Sequence, residues 1–457
     1  MAWRTLLLLL AAATNAQSVS VATNAQSAGV ATDALPPPAA PNAPLPPCAP
    51  LLAAARRIPV PADAFFMPAN LSYLNVGSLG PTPRAAVDCA VEQWKQLEAD
   101  KVSRYPWSGG LPEATRALAA RSLGANVSLD EVALVPSTTV GLTLVADGLA
   151  SAGYFARDRW GGAAPRVLTT DQEHGGGVAA WRHYVTTGLL GGLDAVALGA
   201  PPASAAAVVA AFAAALDAGP AYAVVAVSHV LTTTGAALPV RELAALAHER
   251  GALFVVDGAQ AVGNLDVDVE KTGADAYAVS AHKWLLAPTG SGLLYVRRAA
   301  RPMIAPTYLD EGFSAYTQCT GTTPLQTIAG LGYALAFVDA LGGQAALRAH
   351  NAALYGVTYA ALAKLPRVAI LSAPPGSGLD SALLSFALPA CAPHGAVADG
   401  LAARGIVVKL LPDGEGGTPL VANALRVSHH VFNAAADMER FAASLAAEVD
   451  ARCAGLI

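Results

Sequence analysis

The 457-residue sequence predicts an α/β protein in which a mainly parallel, doubly wound large domain precedes a smaller α+β domain. Three observations carry that prediction. VLTT (167–170), AYAVVAV (221–227), LFVV (253–256) and AYAV (276–279) are short apolar runs bounded by turn residues, the pattern of strands buried on both faces. Helix-like stretches such as VRELAALAHERG (240–251), closed by Gly251, alternate with these runs through residue 283 and supply crossovers between parallel strands. The character then changes: LLSFAL (383–388), GIVVKLL (405–411) and ALRVSHHVF (424–432) read as strands with long loops between them, closed by a helix over 435–453. The expected organisation is a signal segment 1–16, a linker 17–55, a large domain 56–340 and a small domain 341–457. The N-terminal segment of the large domain is expected to contribute to the small one.

Arg4, then LLLLLAAA (6–13), then Thr14-Asn15-Ala16 has the charged, apolar and small-residue order of a secretory signal cleaved after Ala16. Up to residue 55 follow an imperfect ATNAQS repeat (13–18 and 22–27) and PPPAAPNAPLPP (36–47), which have no core to bury and read as a disordered linker. Entry to the secretory route would make Asn70 (NLS) and Asn126 (NVS) candidate glycosylation sites. A bipartite leader to an organelle is the alternative address.

Hydrophobic residues make up 54% of the chain and charged ones only 13%, yet no run reaches the roughly 18 apolar residues of a spanning helix. No membrane association is expected once the signal is removed. A net charge of −5 without a basic run argues against a nucleic-acid partner, leaving a small molecule. Cys48, Cys89, Cys319, Cys391 and Cys453 form no CxxC or Cys/His cluster, so no metal is expected. One disulfide would fit an oxidising compartment, with unpaired buried thiols expected for most of the five.

Taken in order, YLNVGSLGPTPRAAV (73–87) is a Gly-Pro loop before a helix that begins near Arg84, behind Pro83. A second helix around 112–124 leads to the strand EVALVPS (131–137). Ser137-Thr138-Thr139 then opens a helix, offering hydroxyls and free N–H groups either as a plain cap or to an anion. His174 stands just beyond VLTT, before a Gly run that lets a ligand approach. GLLYV (292–296) follows Lys283 too closely for a helical crossover and is expected to pair antiparallel. A helix over about 325–341 continues into a second helical stretch through Leu365.

Asp257 and Lys283 each stand where an apolar run ends, on the edge where open α/β sheets bind ligands. Either alone reads as a salt-bridge partner or a solvated loop residue. Together they suit pyridoxal phosphate, which needs a lysine for its Schiff base and an Asp for its pyridinium nitrogen. Burial would favour the neutral amine that a Schiff base requires.

VDGAQ (256–260), SAHKW (280–284), PTGSGLLYV (288–296), the Ser/Thr turn at 137–139, EH (173–174), GT (321–322) and RVSHHVFN (426–433) together resemble the class V aminotransferase group of fold-type I pyridoxal-phosphate enzymes. The resemblance covers about Leu71 to Ala447. It implies an enzyme working at the α-carbon of an amino-acid substrate. Lys283 would form the Schiff base and shuttle the α-proton, Asp257 would hold the ring nitrogen protonated, and His174 would stack on the ring. Gln260 would bond the ring hydroxyl, and Thr138, Thr139, Ser280 and His282 would hold the phosphate. Thr322 would reach the neighbouring subunit's phosphate, implying a homodimer with shared sites. Arg426 would clamp the substrate carboxylate.

Within that group, cysteine desulfurases carry a nucleophilic cysteine shortly before the carboxylate-binding arginine. KLLPDGEGGTPLVANALR (409–426) has none, which disfavours persulfide transfer. The 73–85 segment and GTTP (321–324) look like the isopenicillin-N epimerase-like branch, while His174, in place of that branch's tyrosine, resembles the desulfurase and lyase side. Epimerase, carbon–sulfur lyase and transaminase chemistry all stay open. The reading from a different class is a secreted, non-catalytic module that retains the fold. A nicotinamide enzyme would need the GxGxxG that this chain lacks.

Overall fold

The computed structural model describes residues 44–52, 57–99, 110–306, 324–411 and 422–454. Seven strands form its main sheet: β2 (Val132–Val135), β3 (Arg166–Thr170), β4 (Gly192–Val196), β5 (Tyr222–Ser228), β6 (Leu253–Asp257), β7 (Ala276–Val279) and β8 (Gly292–Val296). Their order is β2-β8-β7-β6-β5-β3-β4. Only β8 runs antiparallel to its neighbours β2 and β7, as its short connection requires. β4 was not foreseen, because GLDAV carries an acidic residue and mixed burial in place of an apolar run.

Alternate residues of each strand feed different cores. On β6, Phe254 and Val256 pack with the helices Leu111–Leu123, Val240–Glu249 and Leu325–Ala340. Leu253 and Val255 pack with the helices Thr138–Ser151 and Gly175–Thr186 on the opposite face. Burial of both faces is why these strands read as unbroken apolar runs.

A second, four-stranded sheet has the order β12-β13-β10-β9, from β9 (Ala369–Ile370), β10 (Leu383–Ala387), β12 (Lys409–Leu411) and β13 (Ala424–Ser428). Beside it the early strand β1 (Ser72–Tyr73) pairs in parallel with β11 (Ile406–Val407). Leu74 joins Leu354, Phe386, Val427 and Phe441 in this smaller core, so an N-terminal segment is built into C-terminal structure.

Several expectations need correction. GIVVKLL is two short strands with different partners, and the last strand stops at Ser428, leaving HHVF outside it. The Gly run after His174 is the first turn of a helix, with His174 as its N-cap. The two late helices stand as expected, Leu325–Ala340 and Gly343–Leu362, and meet at a 69° bend, where Gly342 has φ 102°, a conformation suited to glycine. Residues 44–52, assigned to the linker, pack Leu45, Cys48 and Leu51 on the main core.

The cysteine expectation is overturned most clearly. Cys48 is bonded to Cys89 and Cys391 to Cys453, at sequence separations of 41 and 62. Spacing along the chain says nothing about which thiols folding brings within bonding distance. The fifth, Cys319, lies outside the described residues.

Candidate active site

Because β2, β3, β5, β6 and β7 run in one direction, the residues after their C-terminal ends meet on one edge. There they enclose a cavity of about 340 Å³. Thr138, Thr139, His174, Asp257, Gln260, Ser280, His282, Lys283 and Arg426 all line it. Of the residues expected at the site, only Thr322 does not appear, since it lies outside the described residues. A larger cavity, about 540 Å³, holds none of them, and two of its charged walls, Lys271 and Asp268, pair with each other. The chemistry therefore belongs to the smaller one.

The Ser/Thr turn is both a cap and a lining. Ser137 Oγ accepts from Val140 N at 3.3 Å. Thr138 is tied to Ser280, with Thr138 N donating to Ser280 Oγ at 3.2 Å and the two hydroxyls 2.9 Å apart. The helix start and the β7 loop thus form one polar corner at the N-terminal, positive end of a helix dipole.

Asp257 is 8% exposed. Burial raises its pKa, opposed by the Ala259 amide and by Lys283 and His174. Its carboxylate accepts one hydrogen bond among the described residues, from Ala259 N to Oδ1 at 2.9 Å. A buried carboxylate with so little compensation favours a cation brought to it. Glycines let the next helix approach: a Cβ on Gly177 would lie 2.6 Å from Asp257 Oδ2, and one on Gly176 2.5 Å from Thr139 Oγ1. His174 Nδ1 accepts from Gly176 N at 3.0 Å, so in the neutral ring the proton sits on Nε2.

Lys283 is half-buried on a strap clasped from both sides. Gly80 N donates to His282 O at 2.8 Å, and a Cβ on Gly80 would meet Lys283 O at 2.0 Å. Three residues on, Leu286 adopts φ 56°, a strained value for a leucine. His282 Nδ1 lies 3.0 Å from the Ser291 carbonyl, which can only accept, so the proton sits on Nδ1. Burial lowers the His282 pKa. This imidazole would bond a phosphate through Nε2 only once protonated.

Gln260 differs from expectation. It donates to Gly77 O at 2.8 Å and accepts from Trp284 Nε1 at 2.7 Å, which leaves one amide N–H for a ligand. Arg426 comes from the other sheet and is 2% exposed. Its Nη1 donates to Thr232 O at 2.8 Å and to Thr232 Oγ1 at 2.7 Å, and its Nη2 lies 3.4 Å from Ser78 Oγ. These bonds hold the guanidinium flat at the cavity wall.

Two contributors escaped the sequence reading. Glu173 is 5% exposed, accepts from Thr170 Oγ1, Ser228 N and Ser228 Oγ, and has its pKa pushed up to about 7 by burial. It stands behind Asp257, whose register partner is Ser228. The second is Lys409, which lines the cavity opposite Arg426. Its signal was a single polar residue at alternating spacing in GIVVKLL, which an exposed strand position explains equally well.

The profile of the family described as Aminotransferase class-V matches residues 108–441. The chain belongs to the class-V aminotransferase family. Among its relatives, the isopenicillin N epimerase of Amycolatopsis lactamdurans is 30% identical over 406 residues, 82% of this chain and 94% of the epimerase. The apo cysteine desulfurase of Thermococcus onnurineus NA1 superposes with a TM-score of 0.74 at 25% identity, over 87% of this chain and all of that one. A lysine-to-alanine variant of the lyase C-DES, with glycine covalently linked to its PLP cofactor, gives 0.70 at 22% identity over 83% and 97%, a likeness of fold alone. As a class-V aminotransferase relative, the chain has the fold-type I architecture, and its relatives are enzymes. Nothing supports the non-catalytic module.

Proposed function

We propose that this cavity holds pyridoxal 5'-phosphate and that the protein acts at the α-carbon of an amino acid. The observation that carries the reading is the convergence of Lys283, the buried Asp257 and the Ser/Thr helix start on one cavity, with Arg426 on the opposite wall. The donor set fits the group. Lys283 would hold its aldehyde carbon, Asp257 its ring nitrogen, and Thr138, Thr139, Ser280 and His282 its phosphate, with His174 against the ring. Bound there, the cofactor supplies an electron sink for the pair left when an α-proton departs.

The chain's own residues would do the rest. Arg426, fixed by Thr232, takes the substrate carboxylate and so sets which face of the α-carbon meets Lys283. The Lys283 amine removes the α-proton and returns it. Burial raises the Asp257 pKa, so its charge and a positive ring nitrogen would support each other. Protein persulfide transfer is disfavoured, since Cys48, Cys89, Cys391 and Cys453 are all in disulfides and the 409–426 segment has no cysteine.

The same proposal includes entry to the secretory pathway, which the two disulfides support, because such bonds persist in oxidising compartments. Asn70 and Asn126 both stand exposed in turns and are the candidate glycosylation sites. A homodimer is supported by the exposed Leu79, Val91 and Trp94, and sedimentation of the purified protein tests it. The central test is incubation with an amino-acid panel in heavy water. Cofactor absorbance together with α-deuteration of at least one amino acid supports the reading; a protein that takes up no cofactor rejects it.

A further inference from the structure

The two peptide carbonyls that flank Lys283 are each held from outside its strap, and from opposite ends of the chain. Gly80 N donates to His282 O at 2.8 Å, and His430 Nε2 lies 3.0 Å from Trp284 O. A carbonyl can only accept, so the His430 proton sits on Nε2 and is donated to it. The imidazole is fully buried, and burial pushes its pKa down to about 3, so it stays a neutral donor at ordinary pH. It packs against two aromatic rings, Trp284 at 5.8 Å and 39° and Phe432 at 5.8 Å and 25°. Its own amide donates to Asn433 Oδ1 at 2.9 Å.

That bond closes a circuit. Ser428 Oγ accepts from Gly77 N at 2.9 Å, Gly77 O accepts from Gln260 Nε2 at 2.8 Å, and Gln260 Oε1 accepts from Trp284 Nε1 at 2.7 Å. Trp284 O then returns the chain of bonds to His430, just past Ser428. The segment that leaves Arg426 on β13 thus grips the Lys283 strap twice, through Gly77 and Gln260 and directly through His430. The strap needs such a grip: Leu286 holds φ 56°, and a strained backbone persists only where its surroundings over-determine it. None of these bonds uses the Lys283 side chain, so they set where the amine stands without consuming it.

Resting on the reading of Lys283 as the reactive amine, we infer that His430 is a positioning residue, whose Nε2–H clamps the Trp284 carbonyl and so fixes the Lys283 amine at the cavity. His430 is not among the residues that line the cavity; it acts through the strap alone. The segment that supplies Arg426 for a carboxylate thereby also sets the amine that must meet the α-carbon, which keeps the two at a fixed separation.

The test labels the apoprotein lightly with acetic anhydride and reads acetylation of Lys283 by mass spectrometry against that of Lys271, whose side chain is 82% exposed. Neither cofactor nor substrate enters, so a protein that takes up no cofactor would reject the functional reading and leave this measurement standing. A net hydrogen bond corresponds to about threefold to tenfold in an equilibrium. His430→Phe, which keeps a flat ring and loses the donor, should therefore raise the Lys283-to-Lys271 ratio by that factor. His430→Gln, whose amide reaches about as far as Nε2, should hold the ratio within about twofold of wild type, whereas His430→Asn, one carbon shorter, should raise it. An unchanged ratio in His430→Phe, even with a lowered melting temperature, would mean that the ring only packs, and overturns the inference. An equal rise in His430→Phe and His430→Gln overturns it too, because the donor would not be the agent. Should His430→Phe fail to fold, His430→Asn against His430→Gln makes the same comparison.

Discussion

At the large-sheet end of the cavity, Asp257 ends its strand, and the Ser137–Thr139 turn, His174 and Lys283 each follow theirs within a few residues. At the small-sheet end, Arg426 and Lys409 reach the cavity only because β12 and β13 pair and a loop near Gly77 closes against Ser428. The first end is made by local sequence and the second by long-range pairing. On the proposed reading, the groups that face the cofactor sit on the doubly covered large sheet and the carboxylate-binding arginine on the smaller one.

Substitutions separate the two ends. Lys283→Ala should lower kcat by at least roughly 10³-fold and abolish the cofactor–lysine absorbance, with thermal stability of the apoprotein nearly unchanged. Retention of turnover would remove the distinction between the ends altogether. Arg426→Lys should raise KM by roughly 10²-fold, with a smaller effect on kcat, because a lysine cannot reproduce the flat, doubly bonded guanidinium at Thr232. Cofactor occupancy, read by absorbance, should stay at the wild-type level. If occupancy falls as much as KM rises, the ends are not separable.

Gly177→Ala tests the large-sheet end from the backbone. Its Cβ would fall 2.6 Å from Asp257 Oδ2, so the carboxylate must shift, at about 1–3 kcal/mol. Cofactor affinity should fall about tenfold, while the carboxylate binding of the opposite wall is retained.

A separate prediction concerns Glu173. Burial raises its pKa from 4.5 to about 7, so the folded protein keeps a proton that the unfolded chain has released. That contribution is present in full below about pH 4.5, shrinks as pH rises, and is lost above about 7. Urea unfolding of the apoprotein at pH 5 and pH 8 should therefore show stability falling by up to about 3 kcal/mol from this group. Glu173→Gln should flatten the difference, and an unchanged slope would place the titration elsewhere.

Much of the large-sheet end was legible in the sequence for the reason it is robust. Strands buried on both faces read as apolar runs, and the residue that ends each run marks the ligand edge, so Asp257 and Lys283 stood out. The small-sheet end was read only through resemblance at Arg426. Lys409 stayed hidden because its meaning lies in its cross-strand partner. Glu173 was hidden because a carboxylate beside His174 gives no sign of burial. The disulfides were misjudged for a related cause: Cys48 and Cys89 approach only once residues 44–52 pack on the helix Arg84–Ala99.

The pairing of β1 with β11 also sets an order of events. Ser72–Tyr73 leave the ribosome long before Ile406–Val407, and the Gly77 amide waits for Ser428 Oγ, 2.9 Å away in the finished protein. The loop that presses Gly80 on the Lys283 strap cannot settle until nearly the whole chain has been synthesised. The closed site therefore needs both ends of the chain, since the loop against the Lys283 strap is tied down by Ser428.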